Sequence, residues 1–199
     1  SGMGFEGATD PMMLGFVWES PLGTAAIWRG LGELAILAIL VPRIGQWIAL
    51  VGTFAVAISF AQVGHTLGEP RVALVVLLVL HLLAAAFWGG ALVPLRRAAL
   101  APTSADLLHH FGNLAAGGVA ALILAGTSLA WLLSGSITAL FGTAYGLVLL
   151  VKVAVVAVLL GFAAWNKVRL VPSLRAEKPG AAHALRRSIS MEMLAVLLI

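Results

Sequence analysis

Apolar residues run along this chain in stretches of about 20 positions, the length of helix that crosses a bilayer core, and short polar clusters interrupt them. The pattern predicts helices over Pro21–Val41, Gln46–Val63, Pro70–Leu95, Leu114–Leu133, Thr143–Trp165 and Ala182–Ile199. Several starts are chemically marked. Ser20 precedes Pro21, placing a capping hydroxyl before a proline at the first helical position, and Glu69-Pro70 repeats the pattern. Asn113 and Thr143 are the expected caps of two later helices.

Composition turns the helices into membrane spans. Hydrophobic residues make up 61% of the 199 positions and charged residues 10%, where a soluble domain carries roughly 25% charged residues. Such a chain cannot solvate its own surface, so that surface faces lipid. The expected fold class is an all-α polytopic transmembrane bundle with six spans visible. Residues 1–20 form a segment outside it, and 21–199 form the helical domain. The absence of cysteine excludes disulfides, thiolate metal sites and iron–sulfur clusters. A net charge of +4 invites a nucleic-acid reading, but the basic residues sit in short connections between apolar runs, so no nucleic-acid partner is expected.

Those connections set the orientation. Arg43, Arg96, Arg97, Lys167, Arg169, Arg175, Lys178, Arg186 and Arg187 collect on one side. Glu6, Asp10, Glu19, the 62–71 loop with Arg71, and the neutral 134–144 loop fall on the other. The first side is expected to be cytoplasmic and the N-terminal segment outside. The last predicted helix is still apolar at Ile199 and the start lacks a signal-like region, so sequence is expected to be missing at one or both ends. Ser20–Arg29 and Thr143–Lys152 share a pattern of hydroxyl cap, glycine three positions on (Gly23, Gly146) and cation nine positions on. Duplication of parallel halves and chance are both open readings.

An ionisable residue inside lipid costs roughly 2.5–3.5 kcal/mol on insertion scales, so each such residue needs a reason. Arg29 lies about 12 Å along its helix and Glu33 follows at i+4, where the two can pair. The pair either holds helices together or forms an ion site open to the outside. Lys152 has Val156 at i+4 and must snorkel or meet a carboxylate from another helix. His81 lies about 16 Å into its helix, followed by Trp88 on nearly the same face and by Gly89-Gly90, which permit close helix approach. It can bind a metal, ligate haem, relay protons or hydrogen-bond a neighbouring helix. His65, in the outside loop, is either an ordinary loop histidine or the mouth of a path toward His81. Met3, Met12 and Met13 lie in the outside segment, where thioethers suit Cu(I). Met191 and Met193 flank Glu192 but splay apart on a helix, and membrane methionine is mostly filler. His109, His110 and His183 fall in cytoplasmic connections and take no role. Trp18, Trp28, Trp47 and Trp165 lie near span ends, as interfacial anchors do. No Walker, Rossmann, zincin or G-x-S-x-G pattern stands in a usable context.

Three stretches resemble the copper resistance D family (CopD/PcoD-like). They are Leu80-His81 through Trp88-Gly89-Gly90 to Pro94, Tyr145–Lys152 continuing through Ala164-Trp165-Asn166 to Pro172, and Leu185–Glu192. The resemblance covers most of the chain from Ser20 onward. It implies a bacterial inner-membrane protein of about eight helices that moves copper and works with a periplasmic copper-binding partner. Function then carries over to His81 with Trp88-Gly89-Gly90, to Gly64-His65, and more weakly to Lys152 and Glu192.

The combined expectation is a non-enzymatic copper transporter. His65, Met12 and Met13 would receive the ion, His81 would hold it, and Arg29, Glu33 and Lys152 would set the field along the path. The alternative is a b-type cytochrome-like haem subunit, which needs a second histidine at matched depth. A third reading is an accessory subunit whose polar residues serve packing.

Overall fold

The computed structural model describes residues 9–101, 104–134 and 136–198; the side chains of His65, Thr66, Ser104, Ile137 and Ala139 lie outside that description. The described elements are helical throughout. Four stretches are long and apolar enough to span a bilayer: Pro21–Leu40, Arg71–Ala98, Ala105–Ser134 and Ala144–Arg175. Between 6% and 17% of their apolar windows is buried, so most of that apolar surface faces outward, and only lipid accommodates it. The protein is an all-α polytopic membrane protein.

Two of the six predicted spans fall short of that criterion. One is a helix of 16 residues, Gly45–Phe60, shorter than the usual 17–25. The other, Ala181–Val196, is also 16 residues and carries Arg186, Arg187, Ser188, Ser190 and Glu192. Its buried residues are Ala181, Leu185, Ser188, Ile189 and Glu192, a single stripe at helical spacing. It packs by one face, which carries Ser188 and Glu192 beside its apolar residues, and leaves Arg187 exposed.

The chain divides into two compact units, Ser1–Leu83 and Ala84–Ile199, with one long helix running through the division. In the first unit, α1 (Pro11–Glu19) forms where only a segment was expected. Asp10 accepts a hydrogen bond from the Met12 N–H at 2.8 Å and Pro11 opens the helix. α2 (Pro21–Ile36, extended by a 3₁₀ turn Leu37–Leu40) begins as predicted, with the Ser20 hydroxyl accepting from the Leu22 N–H at 3.2 Å. It pairs with α3 (Gly45–Phe60) through facing glycines. A Cβ on Gly32 would stand 2.7 Å from the Gly52 carbonyl oxygen, and one on Gly52 would stand 2.5 Å from that of Gly32. The two backbones therefore touch, which is the close approach that small residues allow between membrane helices. α4 (Arg71–Ala98) starts where the Glu69 carboxylate accepts from the Arg71 N–H at 3.2 Å.

The second unit holds the rest of α4, then α5 (Ser104–Ser134), α6 (Ile137–Gly142), α7 (Ala144–Trp165), α8 (Val171–Arg175) and α9 (Ala181–Val196). α5 begins well before the predicted Leu114, so Asn113 is an exposed mid-helix residue rather than a cap, and His109 and His110 lie on helix rather than in a connection. The Thr143 cap is present: its hydroxyl accepts from the Gly146 N–H at 3.0 Å. Trp88, Leu92, Leu108, Leu122, Leu159, Leu185 and Ile189 make the buried core.

Candidate functional site

Between α7 and α8 the helix widens into a π turn over Asn166–Leu170, with the Val171 N–H bonded to the Asn166 carbonyl. Pro172 follows at once and has no N–H to donate, so its own i to i−4 bond is missing where the helix resumes. Single π turns of this kind concentrate at functional sites. Here the turn holds Asn166 buried, and its amide donates to the Glu192 carboxylate on α9. The Trp88 indole N–H, from α4, bonds the same carboxylate. Glu192 is 2% exposed, and the Asn166 Oδ1 is buried without a hydrogen-bond partner.

All three side chains line a cavity of about 380 Å³ inside the second unit. Its room comes from small residues: Gly112, Ala115 and Ala116 on α5 and Ala163 and Ala164 on α7 face it where larger side chains would fill it. The remaining wall is leucine, valine, isoleucine and phenylalanine, so Trp88, Asn166, Glu192 and Lys167 supply its polar groups. Lys167 does not neutralise Glu192; its Nζ donates to the Gly112 carbonyl at 3.1 Å. Arg96 reaches α9 but bonds the Ser190 hydroxyl at 2.7 Å.

Among the described residues the ion pair formed is Asp106–Arg175, at 2.5 Å between α5 and α8, with both side chains more than half exposed. Exposed pairs are screened by solvent and contribute little. The Asp106→Asn variant is therefore expected to unfold at the parent's midpoint within error in a detergent-based thermal scan; a clear loss would mean the pair fastens α5 to α8.

The candidate residues read from the sequence separate into groups. Trp88 and Glu192, expected along the transport path, meet at the cavity. Arg29 does not pair with Glu33. Its Nε donates to the fully buried Ser59 hydroxyl at 3.3 Å and its guanidinium stacks 3.9 Å from the Phe60 ring centre, both on α3, while Glu33 is exposed. The reason is geometric: α3 lies against α2 at the glycine contact, and a hydroxyl and a ring face are nearer than the next turn's carboxylate. Lys152 is exposed on α7 and forms no ion pair among the described residues. His81 is half-buried on α4 in the first unit and is not part of the cavity wall. Met12 is 68% exposed and Met13 half-buried on α1. The His65 backbone lies in a 3₁₀ turn, Gly64–Leu67, and its side chain is outside the described residues. Among the described residues no three His, Cys, Asp or Glu side chains converge as a metal site.

Comparison with known proteins gives one family. Residues 105–199 match the family model CopD, copper resistance protein D. This stretch of the chain is CopD-like. The CopD-like stretch is just under half of the chain and contains α5 to α9, with Asn166, Lys167 and Glu192. It also contains the Tyr145–Pro172 and Leu185–Glu192 stretches that carried the resemblance, whereas the His81–Trp88 stretch precedes it. No curated protein and no solved structure matches the chain.

The residue missed in the sequence is Asn166. It stood inside one of the CopD-like stretches but sits beside Trp165 and Lys167, where a polar residue passes for the edge of a span. An amide one position before the basic residues, followed by a proline six positions on, is the signal that marks it.

Proposed function

We propose that this protein carries copper across a bacterial inner membrane, with its N-terminal segment on the periplasmic side. The observation that carries the reading is the match of α5 to α9 to copper resistance protein D, on helices built to span lipid. The orientation rests on the Lys/Arg bias of the connections. Copper is the cargo. The exposed Met12 thioether, with Met13 beside it, offers a soft donor to an incoming cuprous ion. His65 and His81 provide imidazoles on the way inward, and a periplasmic copper-binding protein is the expected donor partner.

Conduction needs sites strong enough to accept an ion and weak enough to release it. With one unit of charge, a cuprous ion can shed its water onto one or two soft ligands at modest Coulomb cost. The Ser59–Phe60 setting of Arg29 and the exposed Lys152 add fixed positive charge that favours a path away from them.

The test is copper uptake by reconstituted vesicles. His81→Ala is expected to lower uptake about tenfold, the effect of roughly 1.4 kcal/mol of lost binding, with circular dichroism unchanged. Uptake equal to the parent removes His81 from the path. The visible spectrum of the purified protein separates copper from haem, because a haem subunit shows an intense Soret band.

A further inference from the structure

We propose that Glu192, held by Asn166 and Trp88 at the cavity of the second unit, is a reversible proton-binding site. As the coupling site of the carrier it rests on the copper reading above; as a proton site it stands on geometry alone.

The argument begins with charge. Glu192 is 2% exposed, and both side-chain bonds that reach it come from neutral donors, Asn166 and Trp88. A buried carboxylate without a cation is costly by several kcal/mol, so something positive must accompany it. No cation among the described residues bonds it. From α7, Lys167 is the other charged residue of the cavity wall, and it is turned to the Gly112 carbonyl. From α4, Arg96 is bonded to Ser190. From α9 itself, Arg186 is half-buried, and its Nε has no partner. α5 contributes no titratable side chain to the wall; its His109 lines a separate, smaller cavity, and its His110 ring is bonded to the Asp106 carbonyl at 2.8 Å.

Chemistry then selects the positive partner. No thiolate, thioether or imidazole lines the cavity, so it offers copper none of the ligands it prefers. A hard metal cation takes six or more oxygens. The carboxylate and the Asn166 Oδ1 are the side-chain oxygens of this wall, and the Gly112 carbonyl already serves Lys167. A proton needs one oxygen.

The second observation is the orphaned Asn166 Oδ1, more than nine-tenths buried at the cavity wall. An amide has a donor end and an acceptor end. The donor end faces the Glu192 carboxyl here, the arrangement that suits its ionised form. The acceptor end, idle in this state, serves the protonated carboxyl, whose O–H becomes a donor. One side chain thereby satisfies Glu192 with and without its proton, and turning the amide over exchanges the two states. The proton leaves to, and returns from, water that enters the cavity, with no other bond made or broken.

Infrared titration of the full-length protein in lipid reads this directly. The parent should show a protonated-carboxyl band that grows as pH falls, and Glu192→Gln, isosteric and still able to bond Asn166 and Trp88, should lose it. Asn166→Leu should keep the band and shift it, which covers the case in which Glu192→Gln fails to fold. A band that survives in Glu192→Gln, or that responds to sodium at fixed pH in place of protons, overturns the proposal. Vesicles carrying a pH dye add the link to copper: the parent should move protons with copper and Glu192→Gln should not. Absence of copper movement in the parent defeats the copper reading alone, since the infrared result still decides the proton site.

Discussion

Trp88→Ala is expected to cost about 3–5 kcal/mol of stability, the range for truncating a large buried aromatic. Trp88 is 8% exposed, belongs to the core of the second unit and lines the cavity together with Leu92. Two losses add in this variant. The ring leaves a void beside a cavity that is already about 380 Å³, and Glu192 loses one of its two side-chain donors. Trp88→Phe separates them, because it keeps most of the ring and removes the N–H. It should cost about 1–3 kcal/mol, the penalty for a buried polar group left short of a partner. Denaturant unfolding of the detergent-solubilised protein checks both; equal midpoints for Trp88→Phe and the parent would mean the indole bond to Glu192 contributes nothing.

In the first unit the largest effect belongs to Gly52→Leu. A Cβ at that position already stands 2.5 Å from the Gly32 carbonyl oxygen and 2.8 Å from the Ala35 Cβ, so a leucine can fit only if α2 and α3 separate. Overpacking of this kind costs about 1–3 kcal/mol, and more where backbone rather than side chain must yield. Separation also withdraws Ser59 and Phe60 from Arg29, leaving its guanidinium without either partner. The milder pair Gly32→Ala and Gly52→Ala supplies the control. Each alone pushes the helices apart, but they need part only once, so the double variant should cost less than the sum by roughly 0.5–3 kcal/mol. Strict additivity would show that the glycines do not share one contact.

The relation of Trp88 to Glu192 also shows how far a sequence can be read. Trp88 stood out by its spacing from His81 and Glu192 by the CopD-like stretch that ends on it, yet nothing in their spacing joins them: 104 positions separate them along the chain. Asn166, which closes the triad, was hidden by its neighbours. The Arg29–Glu33 pairing failed for the complementary reason. Spacing of i+4 states which partners are within reach on one helix, and it is silent about a second helix packed closely enough to offer better ones.

Local chemistry settled the rest in advance. Runs of apolar residues can satisfy their backbone in lipid only as helices, so composition alone fixed an all-α membrane protein. Hydroxyl and carboxylate caps before prolines set the starts at Ser20 and Glu69, because a cap acts within three residues and needs no distant partner. Which of six apolar stretches are long enough to span, which glycines touch, and which polar groups meet around a cavity depended on packing between segments far apart in the chain. Those contacts are set by side-chain volumes on several helices at once, and no periodicity along one helix encodes them.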